Sequence, residues 1–321
     1  RPPRPTRFPY TQLFRSPSSI ISLATKALSE SMDVNVMTHM AKDIIDGYDL
    51  YKRTGFRESM VVPQRDAARQ IVSDMAKSGL FFLFITTLIQ FHTTGYKGRV
   101  YPISYLKEII RMLNEECGYI YDPENNLFVE DPAVRRTRNW GAFIEGRDYI
   151  VSFLRLDIVG NSQIVRKYPD KLIQTTYGDF RKIVNAAITR RNGRIWNWEG
   201  DGGLIAFYFS NKSLLATLSG MEILNELFVY NALHCRLGEP IRVRVAANTG
   251  LCTYTEDTDE LLKNDIIKET VMIESKYTEP DTMTISTTVS SKLDASLLAS
   301  FTPVTTDTRA KYHSYGIKLE Q

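Results

Sequence analysis

The sequence predicts a mostly helical N-terminal module followed along the chain by an α+β domain, and three observations support this prediction. Residues 20–130 are dominated by apolar residues at helical spacing. From residue 148 onward, strand-like apolar segments alternate with amphipathic helical segments, which is typical of α/β and α+β sandwiches. The chain has 321 residues, which is enough for two domains of ordinary size.

The composition is that of a globular protein without a large excess of charge. Hydrophobic residues make up 43% and charged residues 24%, which excludes a disordered or collagen-like chain. The formal net charge is only +3, so we expect no nucleic-acid partner. The longest apolar run, Leu80 to Ile89, is much shorter than the roughly 20 residues of a spanning helix. We therefore expect no membrane span.

Cysteine and histidine residues do not cluster in this sequence. Cys117, Cys235 and Cys252 have neither metal-ligand spacing nor the even number of a disulfide framework. The four histidines are isolated from one another and from the cysteines. We expect a reducing environment, a cytoplasmic location and no zinc site.

The first half of the chain divides into three segments. Residues 1–19 contain five prolines and no periodic apolar face, so we expect a disordered or non-native tail. In the helical module, 20–130, a stripe over 66–90 and a second apolar face from Tyr105 to Leu113 predict helices, followed by a small hairpin. A charged stretch, 131–147, is interpreted as a linker.

The second predicted domain, 148–321, begins with an apolar strand and continues with alternating elements. Asn192-Gly193 ends the first long helix, and Gly200 to Gly203 is typical of a hairpin turn. The predicted elements are a strand at 150–157, a helix at 172–188, strands at 194–199 and 204–209, a helix at 214–237, a strand at 241–247, a helix at 266–277 and a strand at 282–286.

Two aspartates stand where these strands meet turns. Asp157 ends an otherwise apolar strand, where a carboxylate is costly to bury unless it is paired or binds a cation. Asp201 lies at the tip of the predicted hairpin, and neighbouring central strands would bring the two together. Because adjacent carboxylates repel each other, they favour a divalent cation, and their oxygen ligands suit Mg²⁺ or Mn²⁺. Taken singly, each motif is more often a plain turn or a helix cap.

A short turn follows the first aspartate and enters the next helix. It consists of Gly160, Asn161 and Ser162. The backbone N–H groups at such a helix start are suited to phosphate oxygens. We therefore expect these three residues to bind phosphate.

The ordered set of motifs resembles the catalytic domain of the class III nucleotide cyclases. The set comprises Asp-Ile-Val-Gly at 157–160, Glu-Gly-Asp-Gly-Gly at 199–203 and Arg-Val-Ala-Ala-Asn-Thr-Gly at 244–250. The resemblance implies a ferredoxin-like, palm-type sandwich that forms a homodimer with its active site at the interface. It implies two metal ions held by Asp157, Asp201 and the backbone carbonyl of Ile158. Both aspartates are then the catalytic residues.

The sequence departs from that family at the residue that would read the base. Adenylate cyclases usually have a lysine four residues before the second aspartate, and this chain has Asn197 there, between Trp196 and Trp198. Asparagine offers a donor and an acceptor to a base edge but no charge. The two tryptophans would either narrow the base pocket or, by strand alternation, point into the core away from Asn197.

A second departure concerns the late helix, where the family has an asparagine and, four residues on, the arginine that stabilises the transition state. Aligning Ile273-Glu274 with the family's hydrophobic-Glu pair places Lys268 and Met272 at those positions. A shifted frame offers Asp265, Met272 and Lys276 instead. Lys268 is the candidate catalytic cation, with Lys276 as its alternative. The terminal Lys318 is more often a solvated charge than a phosphate ligand.

The whole layout, including Thr137 to Gly141 ahead of the first strand, is similar to the bacterial pyrimidine cyclases of Pycsar antiphage defence. That resemblance implies a nucleoside triphosphate substrate, UTP first and CTP next, and a separate effector that responds to the cyclic nucleotide. The alternatives are an adenylate or guanylate cyclase with a variant base pocket and a catalytically silent cyclase-like nucleotide sensor. A diguanylate-type synthase ranks last, because its hairpin motif differs from 199–202.

Overall fold

The computed structural model describes residues 17–305 and 311–317. Most of the predicted tail, residues 1–16, lies outside these ranges, as does Lys318. Ser18 and Ser19 already belong to the first helix, so ordered structure begins before the predicted boundary at residue 20. The chain forms two units, one ending at Ile144 and the other beginning at Glu145.

The first unit is a bundle of helices with a two-stranded antiparallel hairpin. Its helices are α1 (Ser18–Ser31), α2 (Val34–Ile44), α3 (Leu50–Thr54), α4 (Gln64–Lys77), α5 (Phe81–Thr93) and α6 (Leu106–Cys117), and its strands are β1 (Tyr119–Asp122) and β2 (Leu127–Glu130). Aspartates begin two of the helices, since Asp33 accepts from the Val36 amide of α2 and Asp49 from amides of α3. The buried side chains of these elements form one apolar core.

The helical stripe over 66–90 contains a break. Helix α4 ends at Lys77 and α5 begins at Phe81. Gly79 between them has φ +71°, a left-handed conformation that glycine adopts without strain, and the Leu80 amide donates to the Met75 carbonyl. Apolar periodicity alone does not reveal such a turn, because both helices contribute to the same core.

The segment interpreted as a linker, 131–147, contains a buried stretch between exposed ends. Trp140 and Phe143 are fully buried, and their rings lie 5.2 Å apart. The Glu130 amide donates to the Trp140 carbonyl, which ties the segment to β2. Because charged residues are frequent in 131–147, the sequence does not indicate that these two aromatic side chains are buried.

The second unit contains a seven-stranded sheet. Its elements are β3 (Asp148–Ile158), α7 (Asn161–Lys167), α8 (Asp170–Thr189), β4 (Arg194–Glu199), β5 (Gly202–Phe207), α9 (Lys212–Leu233), β6 (Val243–Thr253), α10 (Thr258–Leu261), α11 (Asp265–Tyr277), β7 (Thr282–Ile285), α12 (Thr287–Ser290), α13 (Ala295–Leu298), β8 (Thr302–Val304) and β9 (Tyr312–Gly316). Strand order across the sheet is β4-β5-β3-β6-β7-β9-β8.

The first half of this sheet has the ferredoxin-like arrangement. The chain runs strand, helix, strand, strand, helix, strand through β3, α8, β4, β5, α9 and β6, and β3 lies between β5 and β6, antiparallel to both. The predicted α+β fold class is therefore confirmed. Strand β6 begins two residues later and ends six residues later than predicted, because it pairs with β3 along its whole length.

The two faces of the sheet differ in chemistry. We call the side that packs against α8 and α9 the apolar face; it carries Leu154, Leu156 and Ile158 of β3. We call the opposite side the charged face, and strand alternation places Arg155 and Asp157 there. Helix α11 covers part of the charged face, where Ile273 packs against Ala246. No helix within the described residues is both long and apolar enough to cross a bilayer.

Candidate functional site

Asp157 lies on the charged face at the end of β3, directly beside the hairpin turn. Its register partners are Gly202 of β5 and Arg244 of β6. A Cβ placed on Gly202 would stand 2.6 Å from the Leu156 carbonyl oxygen and 3.1 Å from Asp157 Oδ1. Residue 202 must therefore be glycine, and the Asp157 carboxylate lies against the turn that bears Asp201.

We call the place where Asp157 meets the turn that carries Asp201 the acidic corner. Its electrostatics follow from these two half-buried carboxylates. Burial raises the pKa of Asp201, and the Asp157 charge raises it further. The Tyr177 hydroxyl responds to the same pair: burial, then the charges of Asp201 and Asp157, raise the pKa of Tyr177 to about 12. The two predicted aspartates are therefore close enough for the charge of one to disfavour the charge of the other, which a cation would relieve.

Arg244 connects Asp157 to helix α11. Its Nη2 donates to Asp157 Oδ2 at 3.0 Å, and its Nε forms an ion pair with Glu274 Oε1 at 2.7 Å. Glu274 is buried, with 3% of its surface exposed. Burial raises the pKa of Glu274, whereas the Arg244 guanidinium lowers it. Arg244 thus occupies one oxygen of Asp157, while the other oxygen faces the turn.

The residues at this corner supply the kind of ligand that a divalent metal ion takes. Two carboxylates supply hard oxygen ligands, and Ile158 follows Asp157 in the chain, with its side chain buried in the core of the apolar face. Within the described ranges, no group of three or more His, Cys, Asp and Glu side chains is suited to hold a metal. Further ligands would therefore come from the backbone or from phosphate oxygens.

The turn predicted to bind phosphates has the expected local structure. Gly160 adopts φ +72° and precedes α7, which begins at Asn161. Ser162 is exposed, and the Asn161 side-chain oxygen accepts from the Tyr177 hydroxyl at 2.6 Å. The charges of both aspartates also raise the pKa of Tyr177, so the turn lies next to the acidic corner.

A β-bulge in β4 decides where the candidate base-reading residues point. Asn197 pairs with Leu204, which pairs with Arg155, so Asn197 belongs to the charged face, and its amide donates to Glu199. The register shifts between Ile195 and Asn197, which places Trp196 against Phe153.

The two tryptophans do not form a pair around Asn197. Trp198 packs on Phe180 of α8, on the apolar face, as simple alternation predicts. Trp196 is buried between Phe153 and Tyr254 on the charged side. One tryptophan therefore lies on each side of the sheet, and neither predicted alternative describes both of them.

Lys268 lies on the exposed side of α11. Its side chain is 61% exposed, and its Nζ lies 3.8 Å from Asp265 on the same helix. Glu274 is the buried acid of α11, which favours the alignment that uses Ile273-Glu274 as its anchor. Met272, which that alignment predicted at the position of a cation, is 39% exposed. Lys276 lies over the Tyr277 ring at 5.1 Å.

Sequence reasoning did not assign a role to three residues that this corner contains. They are Arg155, Tyr177 and Glu274. Arg155 carried a signal, because an arginine two residues before Asp157 in a strand must share its face. Tyr177 and Glu274 follow helical periodicity, and only the tertiary structure places them near the carboxylates.

Comparisons with known proteins find similarity in structure alone. No protein-family profile and no curated protein matches the chain. The guanylyl cyclase domain of the RhoGC fusion protein from Blastocladiella emersonii is 18% identical, with TM-score 0.46, over 54% of this chain and 99% of that one. The adenylate/guanylate cyclase/hydrolase from Silicibacter pomeroyi is 20% identical, with TM-score 0.45, over 54% and 99%. The adenylyl cyclase CyaB from P. aeruginosa is 15% identical, with TM-score 0.44, over 54% and 96%. At such identities no residue's role is transferred from them.

Proposed function

We propose that this chain is a metal-dependent nucleotide cyclase that converts a nucleoside triphosphate to its 3′,5′-cyclic nucleotide and pyrophosphate. The observation that supports this most is the position of the Asp157 carboxylate, whose Oδ1 would lie 3.1 Å from a Cβ placed on Gly202, in the turn that carries Asp201. UTP is the favoured substrate and CTP the next. The cyclic nucleotide would act on a separate effector in antiviral defence.

The reaction is an intramolecular displacement at phosphorus. The ribose 3′-oxygen forms a bond to the α-phosphorus, and the bond from that phosphorus to the bridging oxygen of the β-phosphate breaks. Pyrophosphate leaves with the electron pair, and the 3′-proton passes to solvent. None of the four histidines lies in the motifs that form this corner, so activation of the 3′-hydroxyl does not call for a histidine base.

Each residue of the corner has a distinct task in this proposal. Asp157, Asp201 and the Ile158 carbonyl would hold two Mg²⁺ or Mn²⁺ ions, which lower the pKa of the 3′-hydroxyl and neutralise the leaving group. Arg244 orients Asp157 by holding its Oδ2. The backbone of Gly160, Asn161 and Ser162 would bind the β- and γ-phosphates.

The remaining candidates fit a homodimer with the active site at its interface. Asn197 of a second copy would contact the base, since its amide can both donate and accept hydrogen bonds. Lys268 extends from α11 into solvent and is exposed enough to reach a site on another copy. The acidic corner of one chain would then be completed by residues of the other.

Incubation of the purified chain with each of the four ribonucleoside triphosphates and Mn²⁺, followed by chromatography of the products, tests the proposal. We expect cyclic UMP as the main product, less cyclic CMP and little from ATP. A main product from ATP or GTP would instead support an adenylate or guanylate cyclase with a variant base pocket. If no triphosphate yields a cyclic nucleotide, the proposal is wrong.

A second candidate is a nucleotide sensor without turnover. It is favoured by Met272, a residue without charge at the position of the family's transition-state arginine. Equilibrium dialysis with radiolabelled UTP would support this role if binding occurs while no cyclic product forms. The paired acids at the corner favour the cyclase over the sensor.

A further inference from the structure

Arg155 is a cation on the charged face of the sheet, beside the candidate site. It faces the same side of β3 as Asp157, two residues away, so the two Cα atoms are separated by about 7 Å along the strand. Its register partners are Leu204 on β5 and Ala246 on β6, neither of which is charged. Its side chain therefore starts from an apolar row next to the acidic row.

The charge of the Arg155 guanidinium lowers the pKa of both Asp201 and Glu274, so these acids offset part of it. Arg155 is half-buried, and within residues 17–305 and 311–317 its Nε is buried without a hydrogen-bond partner. Arg244, the neighbouring arginine on this face, forms ion pairs with Asp157 and Glu274, although its Nε is, like that of Arg155, buried without a hydrogen-bond partner within the described residues. The two arginines therefore differ in their ion pairs, since no ion pair of Arg155 is found in the described part of the chain.

A buried donor without an acceptor is costly unless a ligand completes it. A guanidinium is planar and matches the oxygens of a phosphate with two parallel hydrogen bonds. The row that Arg155 adjoins carries the carboxylates that would hold ions under a triphosphate. A phosphate oxygen bound beside the carboxylates would supply such an acceptor.

We propose that Arg155 binds the phosphate chain of the substrate and supplies, from the sheet itself, the positive charge that Met272 cannot supply from α11. This assignment deepens the proposed function and rests on it. Arg155 would be a substrate-binding residue that acts at the phosphate, and it would not select among bases.

Substitution of Arg155 tests this with a probe that needs no turnover. The variants are Arg155→Gln and Arg155→Met, the latter keeping an unbranched apolar stem, with Arg155→Lys as the conservative rescue. The control is Arg181→Gln on α8, where the guanidinium lies 5.2 Å from the Trp198 ring, on the apolar side of the sheet. Calorimetry with Mn²⁺ and inorganic tripolyphosphate measures phosphate binding, and circular dichroism verifies the fold.

We expect the Kd for tripolyphosphate to rise by at least about tenfold in the Gln and Met variants, with partial recovery in the Lys variant and no change in the control. With the preferred triphosphate, kcat/KM should fall by about 100-fold without altering the ranking of the four bases. If one of the neutral variants does not fold, the other carries the test, and if both fail, Arg155→Ala takes their place.

The outcomes separate this proposal from the one on which it rests. Unchanged tripolyphosphate binding in a folded neutral variant overturns the role of Arg155, as does an altered base ranking with unchanged binding. A wild-type chain that does not bind tripolyphosphate also overturns it. Loss of binding in the variants of a wild-type chain that makes no cyclic nucleotide would refute the cyclase and retain the phosphate contact.

Discussion

The two faces of the second unit's sheet are built from the same strands and have opposite chemistry. On the apolar face, Leu154, Leu156 and Ile158 pack against α8 and α9. On the charged face, one residue out of step, Arg155 and Asp157 lie beside Arg244. Because a one-residue slip would exchange the two sets, the apolar face fixes the register that places every charged side chain.

The comparison teaches that stability and chemistry are separated by strand alternation in this unit. Charge that would be costly inside the apolar core is tolerated on the other face, where Arg244 pairs with two acids. Substitutions of the charged side chains on the charged face should therefore affect turnover, and those on the apolar face should affect folding. The predictions below test this separation.

The largest effect is expected from the carboxylates. Asp157→Ala and Asp201→Ala should each reduce cyclic-nucleotide production by about 100-fold or more, because each removes a ligand of the ions. Chromatography of the products measures the loss, and thermal unfolding measures the fold, which should remain intact. Asp179→Ala, at an aspartate of α8, serves as the control. Near wild-type product formation by either variant would remove the basis of the assignment.

How far the sequence predicts this structure differs between the two faces. The strand-helix alternation from residue 148, the hairpin around Asp201 and the position of Asp157 at a strand end are all readable from local patterns. They depend on periodicity and on turn residues, which act over a few positions. The roles given to Asp157 and Asp201 stay predictions.

What the sequence does not reveal depends on contacts between distant elements. The bulge that places Trp196 and Trp198 on opposite sides of the sheet arises where β4 pairs with β5, and no single residue predicts it. The proximity of Glu274 to Arg244 joins positions on a helix and a strand, and the turn at Gly79 is concealed by apolar residues on both sides. In each case tertiary packing decides among local structures that the sequence allows.

The apolar face should show its importance in stability. Leu156→Ala removes a fully buried side chain and should lower the free energy of unfolding by about 2–5 kcal/mol. Urea denaturation followed by fluorescence measures this loss. Leu233→Ala, at a leucine that is 71% exposed, is the matched control and should change stability by less than about 0.5 kcal/mol. Equal effects at the two leucines would contradict the assigned packing.

Glu274 is a charged-face residue that should also affect folding stability, because its carboxyl group is buried. Burial raises its pKa in the folded chain above the ordinary value of 4.5, so the native state binds this proton more tightly than the unfolded state. Stability should therefore be highest below about pH 4.5 for this group and fall as the pH rises towards the raised pKa.

Thermal unfolding between acidic and neutral pH checks this dependence. Glu274→Gln should flatten the decline, because the amide cannot lose a proton. Glu269→Gln, at an exposed position on the same helix, should leave the slope unchanged. A wild-type chain whose stability rises over this interval, with the rise lost in Glu274→Gln, would show that the Arg244 pair outweighs burial.

The smallest effect on stability is expected from a glycine substitution in helix α8. Gly178 lies within this helix, and a Cβ there would meet no atom within 4 Å. Gly178→Ala should therefore stabilise the chain by about 0.5–1 kcal/mol, since glycine loses more backbone entropy in a helix than alanine does. Gly220 of α9 is the contrasting position, because a Cβ there would stand 2.5 Å from Met283 Sδ in the apolar core. Gly220→Ala should destabilise the chain, and melting temperatures that rise for both variants would mean that the apolar face is less tightly packed than its burial indicates.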